Sequence, residues 1–98
     1  LYWGFDEEYV KGMSFLCSKA DIILPNITEA CFLTGRNIAK RNFSRNEIIE
    51  IPKDVSKLGP EKVIITGILE YDNISNIAYD KSTDEVFFTS IKYILQKH

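Results

Sequence analysis

The chain is short of the residues that do much enzyme chemistry: of its ninety-eight residues one is histidine, one methionine, one tryptophan, two cysteine and three proline. Cys17 and Cys31, fourteen apart, do not make a metal site with the single distant His98, because such a site needs clustered ligands. Each cysteine sits in a helical apolar pattern, so both read as reduced, buried thiols that pack as small hydrophobes. No apolar run approaches the ~20 residues of a membrane helix, and no secretory signal opens the chain. An excess of one charge is missing too. Twelve basic against fourteen acidic residues leave a net charge of -2, without the basic surface that a nucleic acid or an anionic membrane requires. The one loose basic group, Arg36, Lys40, Arg41 and Arg45, reads as a solvated loop. Phosphate-loop and dinucleotide glycine fingerprints are absent, as is a Ser/His/Asp set. The sequons at Asn26, Asn42 and Asn73 read as chance matches in a cytoplasmic protein.

What is present centres on Ala20-Asp21-Ile22-Ile23-Leu24-Pro25-Asn26-Ile27-Thr28-Glu29-Ala30. A short apolar strand stops at a proline and turns into a helix, with an amide and a carboxylate three residues apart in its first turn. The carboxyl end of a strand feeding a helix is where open α/β sheets place ligands. A glutamate there can hold a water on Mg²⁺, which prefers oxygen ligands and keeps several waters. The rival reading is purely structural: Asn26 or Thr28 caps the helix, and Glu29 complements its dipole.

Around this motif the chain alternates helix and strand. Residues 6–20 read as a helix capped by Asp6, with Tyr9, Met13, Leu16 and Cys17 on a buried face. Residues 22–24 form a wholly apolar strand, as a central parallel strand should be. Thr28 to Thr34 make a second helix closed by Gly35, and residues 36–44 a polar loop. Ser44 caps a third helix over residues 45–58, which Pro52 must kink or split. Lys62 to Thr66 form a second buried strand, ended by Gly67. Asn73 to Tyr79 and Glu85 to Thr89 alternate as an antiparallel hairpin around residues 80–84. Phe87 and Phe88 read as one sheet-face and one core residue. The apolar ends, Leu1-Tyr2-Trp3 and residues 91–98, suggest one incomplete α/β domain over residues 1–98, cut from a larger protein.

Three segments carry a resemblance. Leu1-Tyr2 followed by Phe5-Asp6 is similar to the segment after the ATP-side loop of the pyridoxal kinases, in the ribokinase-like superfamily. The motif from Ala20 to Ala30, followed by Leu33-Thr34-Gly35, resembles the Asn-x-x-Glu motif and helix of that superfamily. Leu58-Gly59-Pro60-Glu61-Lys62-Val63-Ile64-Ile65-Thr66-Gly67 looks like its next strand. Leu24 stands where many members carry threonine. The family's Gly-Thr-Gly-Asp segment, which holds the general base, would be expected directly after His98, so no catalytic residue is assigned within the chain.

The resemblance implies a three-layer α/β/α fold of parallel strands with a C-terminal β-hairpin. It also implies transfer of the ATP γ-phosphoryl group to the 5′-hydroxyl of pyridoxal, pyridoxine or pyridoxamine. Such catalysis is mostly positioning and charge neutralisation. In that role Glu29 and Asn26 serve the Mg²⁺ and phosphate network, helped by the backbone N–H groups of the helix start. Thr66 offers its hydroxyl to the phosphates, Gly67 lets them approach the backbone, and Tyr2 covers the nucleotide. The expected cofactors are ATP and Mg²⁺, with a monovalent cation left open, and the expected assembly is a homodimer. The isolated chain is expected to be inactive. Kinases for hydroxymethylpyrimidine or a sugar, and a non-catalytic scaffold, are the alternatives.

Overall fold

The computed structural model describes residues 7–37, 43–70 and 72–92. In chain order these form α1 (Glu7–Lys19), β1 (Ile22–Ile23), α2 (Ile27–Leu33), α3 (Arg45–Ser56), β2 (Lys62–Glu70), β3 (Asn73–Asp80) and β4 (Glu85–Lys92). The strands make one mixed sheet in the order β1-β2-β3-β4. β1 and β2 are parallel, with Ile22 opposite Lys62 and Ile23 opposite Val63. The other two pairings are antiparallel. The expected hairpin is therefore present, and β2 extends it into a three-stranded meander.

One face of the sheet carries the core. Val63, Ile65 and Ile68 of β2 and Ile77 of β3 point into it, against Ala30 and Cys31 of α2 and Ile48, Ile51 and Val55 of α3. The three α3 residues recur at helical spacing, which gives that helix its apolar stripe. Ser44 caps α3 in a reciprocal box. Its hydroxyl accepts from the Glu47 N–H at 3.2 Å, and its own N–H donates to the Glu47 carboxylate at 3.0 Å. Pro52 does not split the helix, which runs unbroken from Arg45 to Ser56. Ile48, Ile51 and Val55 are fully buried. At about 1.5–3 kcal/mol each, they outweigh the roughly 3 kcal/mol that an interior proline costs.

Several expectations need correction. β1 has two residues rather than three and lies at the edge of the described sheet, with Ile22 50% and Leu24 66% exposed. An unbroken apolar run does not reveal which strands flank it. Gly67 does not end β2; the strand passes through it, because the partner strand accommodates the extra residue. On α1, Cys17 is buried as expected, but Leu16 is exposed, since the helix packs on α2 and on the turn after α3 and leaves that side uncovered. The cap at Asp6 and the side chain of Tyr9 lie outside the described residues.

Two of the basic residues read as solvated are structural ties. Arg36 meets Asp54 at 2.8 Å, joining the end of α2 to α3. Arg45 donates to the Glu70 carboxylate from Nε at 3.1 Å and lies 4.2 Å over the Phe88 ring. Glu70 also accepts from buried Ser75, whose hydroxyl lies 3.3 Å from that of Ser90. A carboxylate placed among core residues needs such partners, because an unpaired buried charge is costly. Lys40 and Arg41 lie outside the described residues. Phe88 packs on the core and Phe87 stands exposed on the opposite face, as the alternation predicts.

The turn after α3 is tightly placed. Gly59 has φ +141, and a Cβ there would lie 2.7 Å from the Ser18 Cα and 2.8 Å from the Cys17 carbonyl oxygen. Lys81, in the β3–β4 turn, donates its ammonium to the Ser56 carbonyl at 3.0 Å. A cation at a helix C-terminus also complements its dipole.

Candidate functional site

The site forms where the parallel pair β1–β2 opens into α2. Pro25 ends β1, since it has no N–H to continue the ladder. Asn26 then adopts extended geometry and becomes the N-cap of α2. Its Oδ1 accepts from the Glu29 N–H at 2.8 Å, and the Glu29 carboxylate accepts from the Asn26 N–H at 3.0 Å. This reciprocal box satisfies two backbone donors that a helix start would otherwise leave free. The helix closes as expected at Gly35, which has φ +74, while the Arg36 N–H returns to the Cys31 carbonyl at 2.8 Å.

The motif on the next strand lies directly beside this one. A parallel bridge pairs Asn26 with Thr66, which sets their backbones about 4.8 Å apart. Residues far apart in the chain thus meet at the carboxyl end of the parallel pair, which brings the backbone of the Asn26–Glu29 box beside that of Thr66. Asn26 and Thr66 are exposed and Glu29 is partly exposed.

Thr66 and Gly67 form a bulge. Ile65 pairs with Ile77 and Ile68 with Ser75, so two residues of β2 stand opposite the single residue Asn76. Gly67 has φ +72, a region that side chains disfavour, and a Cβ added there would meet nothing within 4 Å. Glycine is needed for the backbone turn, and the space in front of it is open. The Gly67 N–H donates to the Asn76 Oδ1 at 3.1 Å, and the Asn76 amide nitrogen lies 3.5 Å from the Thr89 hydroxyl. The sequence reading missed Asn76 and Thr89. The available signal was an asparagine, a residue depleted in strands, on the non-core side of an otherwise apolar alternation.

The grouping suits hard cations and anionic oxygens. Among the described residues no set of three or more His, Cys, Asp or Glu could hold a metal. Mg²⁺ does not need one, because it is commonly held by one or two carboxylates, waters and substrate phosphates. Glu29 and Asn26 supply hard oxygen donors of that kind, so the residues fit the ion. The helix start itself fits an anion less well than expected: α2 has seven residues and its Glu29 N–H is taken by Asn26. Tyr2 lies outside the described residues. No nucleophile paired with a base occurs within this grouping, so its chemistry is binding and orientation.

Comparison with known proteins bears on which ligands those are. The family model "Phosphomethylpyrimidine kinase" matches residues 5–98. A Bacteroides thetaiotaomicron protein, provisionally named a phosphomethylpyrimidine kinase, is 34% identical with a TM-score of 0.83, over 96% of this chain and 32% of that one. The same protein has also been solved with pyridoxal. The pyridoxal kinase of Entamoeba histolytica is 29% identical with a TM-score of 0.73, over 95% and 33% of the two chains. An ADP complex of Bacillus subtilis pyridoxal kinase is 26% identical with a TM-score of 0.72, over 90% and 33%. The chain thus spans about a third of the length of the solved structures it matches. No curated protein matches it.

Proposed function

The chain belongs to the phosphomethylpyrimidine kinase family, with the ribokinase-like α/β fold of the pyridoxal kinases, and from that premise we propose that the whole protein phosphorylates the 5′-hydroxyl of pyridoxal, pyridoxine or pyridoxamine with ATP. The observation that carries this reading is the bridge between Asn26 and Thr66. It joins a carboxylate–amide pair suited to a hydrated cation to a glycine bulge suited to phosphate oxygens. The pyridoxal found with the 34% identical relative supports a B6 vitamer as the acceptor, and the ADP found with the Bacillus subtilis enzyme supports the nucleotide.

In this reading Glu29 and Asn26 would hold a hydrated Mg²⁺. When bound, the ion neutralises charge on the polyphosphate. Thr66 donates its hydroxyl to a phosphate oxygen, and the missing side chain of Gly67 admits the phosphates to the backbone. Tyr2 covers the nucleotide, and a monovalent cation stays open as a second ion. The general base and most contacts to the vitamin belong to other parts of the protein. Assembly as a homodimer in the cytoplasm completes the proposal. Among the described residues no helix is long and apolar enough to cross a membrane.

The name of the family and of the Bacteroides relative favours a second reading, phosphorylation of a methylpyrimidine acceptor, either phosphomethylpyrimidine or hydroxymethylpyrimidine. ADP release by the whole protein, measured with each B6 vitamer, hydroxymethylpyrimidine, phosphomethylpyrimidine and a sugar, separates the two. The highest kcat/KM is expected with a B6 vitamer. A higher value with either methylpyrimidine overturns that choice, and no turnover with any acceptor leaves only the scaffold reading.

A further inference from the structure

The bulge at Thr66-Gly67 holds its shape through a side chain outside both motifs. In a regular antiparallel pair the Gly67 N–H would donate to a β3 carbonyl; here the extra residue has displaced it from the ladder. Asn76 replaces that acceptor with its Oδ1, 3.1 Å from the Gly67 nitrogen. Because the peptide unit is planar, fixing the direction of the Gly67 N–H also fixes that of the Thr66 carbonyl. The amide of Asn76 is in turn oriented by the Thr89 hydroxyl, 3.5 Å from its nitrogen. A row of polar side chains thus runs from β4 across β3 to the bulge. On the same sheet face it is flanked by Ile64, Ala78 and Phe87 on one side and Leu69, Ile74 and Ile91 on the other.

That placement does not serve the core. Asn76 and Thr89 are exposed, on the face away from the helices. A valine or threonine at position 76 would suit a strand better by propensity. What asparagine supplies there is an acceptor of the right reach for a backbone N–H within the bulge.

Resting on the kinase reading above, we infer that Asn76 is a positioning residue for the nucleotide phosphates. It acts through Gly67, by holding the bulge so that the Thr66 hydroxyl and the open space in front of Gly67 face them, and Thr89 secures its amide. Asn76 itself touches no reacting atom.

The test uses the whole protein and its Asn76→Ala, Asn76→Asp and Thr89→Val variants. Asn76→Ala should raise KM for ATP by up to about a hundredfold, the scale of loss that a misplacement of about 1 Å can cause. KM for the B6 vitamer and the melting temperature should stay near those of the parent. Thr89→Val should shift the same parameter less. In the nucleotide-free protein, Asn76→Ala should lose hydrogen-exchange protection at the Gly67 amide. Asn76→Asp keeps an acceptor oxygen and should retain that protection. An unchanged KM for ATP in Asn76→Ala, or losses shared equally by both substrates and by stability, overturns the inference alone. If the parent itself binds no nucleotide in calorimetry, the kinase reading falls and takes the inference with it.

Discussion

The Glu29 carboxylate accepts the N–H of Asn26 while the Asn26 side chain accepts that of Glu29. The structural and functional readings of this pair therefore coexist in one geometry. A capping box uses one lone pair on each acceptor oxygen and leaves others for a hydrated ion.

Glu29→Gln separates the two roles, because glutamine also serves at the third position of a capping box. Stability should change by no more than about 0.5 kcal/mol, as for an ordinary surface substitution. Activity of the whole protein, or its affinity for Mg²⁺, should fall by about tenfold to a hundredfold, as for groups that orient metal ligands. Steady-state kinetics across a Mg²⁺ titration checks this; full activity at parental Mg²⁺ would reduce Glu29 to a helix cap.

Two glycines should respond in opposite directions to alanine. Gly59→Ala drives a methyl into the backbone of Cys17 and Ser18 at a positive φ, and should destabilise by about 1–3 kcal/mol. Gly12 lies inside α1 with nothing within 4 Å of a Cβ. Gly12→Ala should stabilise by about 0.5–1 kcal/mol through helix propensity. Denaturant unfolding of both variants measures the pair. A Gly59→Ala protein as stable as the parent would mean that α1 does not sit on this turn.

Asp54 gives a pH dependence. Burial acts to raise its carboxyl, and the hydrogen bonds and charges of Arg36 and Lys57 outweigh it, so the group titrates below the usual carboxylate range. A depressed folded value stabilises above the unfolded value of about 3.9, and that contribution disappears as pH falls through the folded value. Asp54→Asn should therefore cost about 0.5–1 kcal/mol at neutral pH, the scale of a partly exposed ion pair. The cost should vanish in strong acid. Unfolding curves from pH 7 to pH 2 measure it; a constant difference across that range would contradict the ion pair.

The cysteines should resist modification in the native state. Cys17 and Cys31 are each 1% exposed, and burial pushes both thiols up, which lowers the thiolate fraction that reacts. Labelling with an aromatic disulfide at pH 8 should be slow until denaturant unfolds the protein. Rapid labelling of both under native conditions would show that this layer opens easily.

How much of this was legible in the sequence depended on range. Asn26, Gly35 and Ser44 were readable because caps are set by residues three or four positions away. Pro52 misled, because the local cost of a proline was visible and the burial of Ile48, Ile51 and Val55 against a distant sheet was not. Gly67 misled for a related reason: a glycine after an apolar run ends a strand unless a partner strand offers a bulge site, and that partner lies beyond the turn. The pairing of Arg45 with Glu70 links residues from different elements, and no local pattern announces it.

The mixed connectivity of the sheet bears on the order of assembly. β2, β3 and β4 meet through short turns, whereas β1 reaches β2 only after α2 and α3 have been threaded between them. Closing a longer loop costs more entropy and delays pairing. The meander is therefore expected to form first, and the junction of Asn26 with Thr66 last. Hydrogen-exchange labelling during refolding would show protection at Ile77 before Ile23, and the reverse order would refute this. A protein built this way keeps its binding end incomplete until the rest of the sheet has closed.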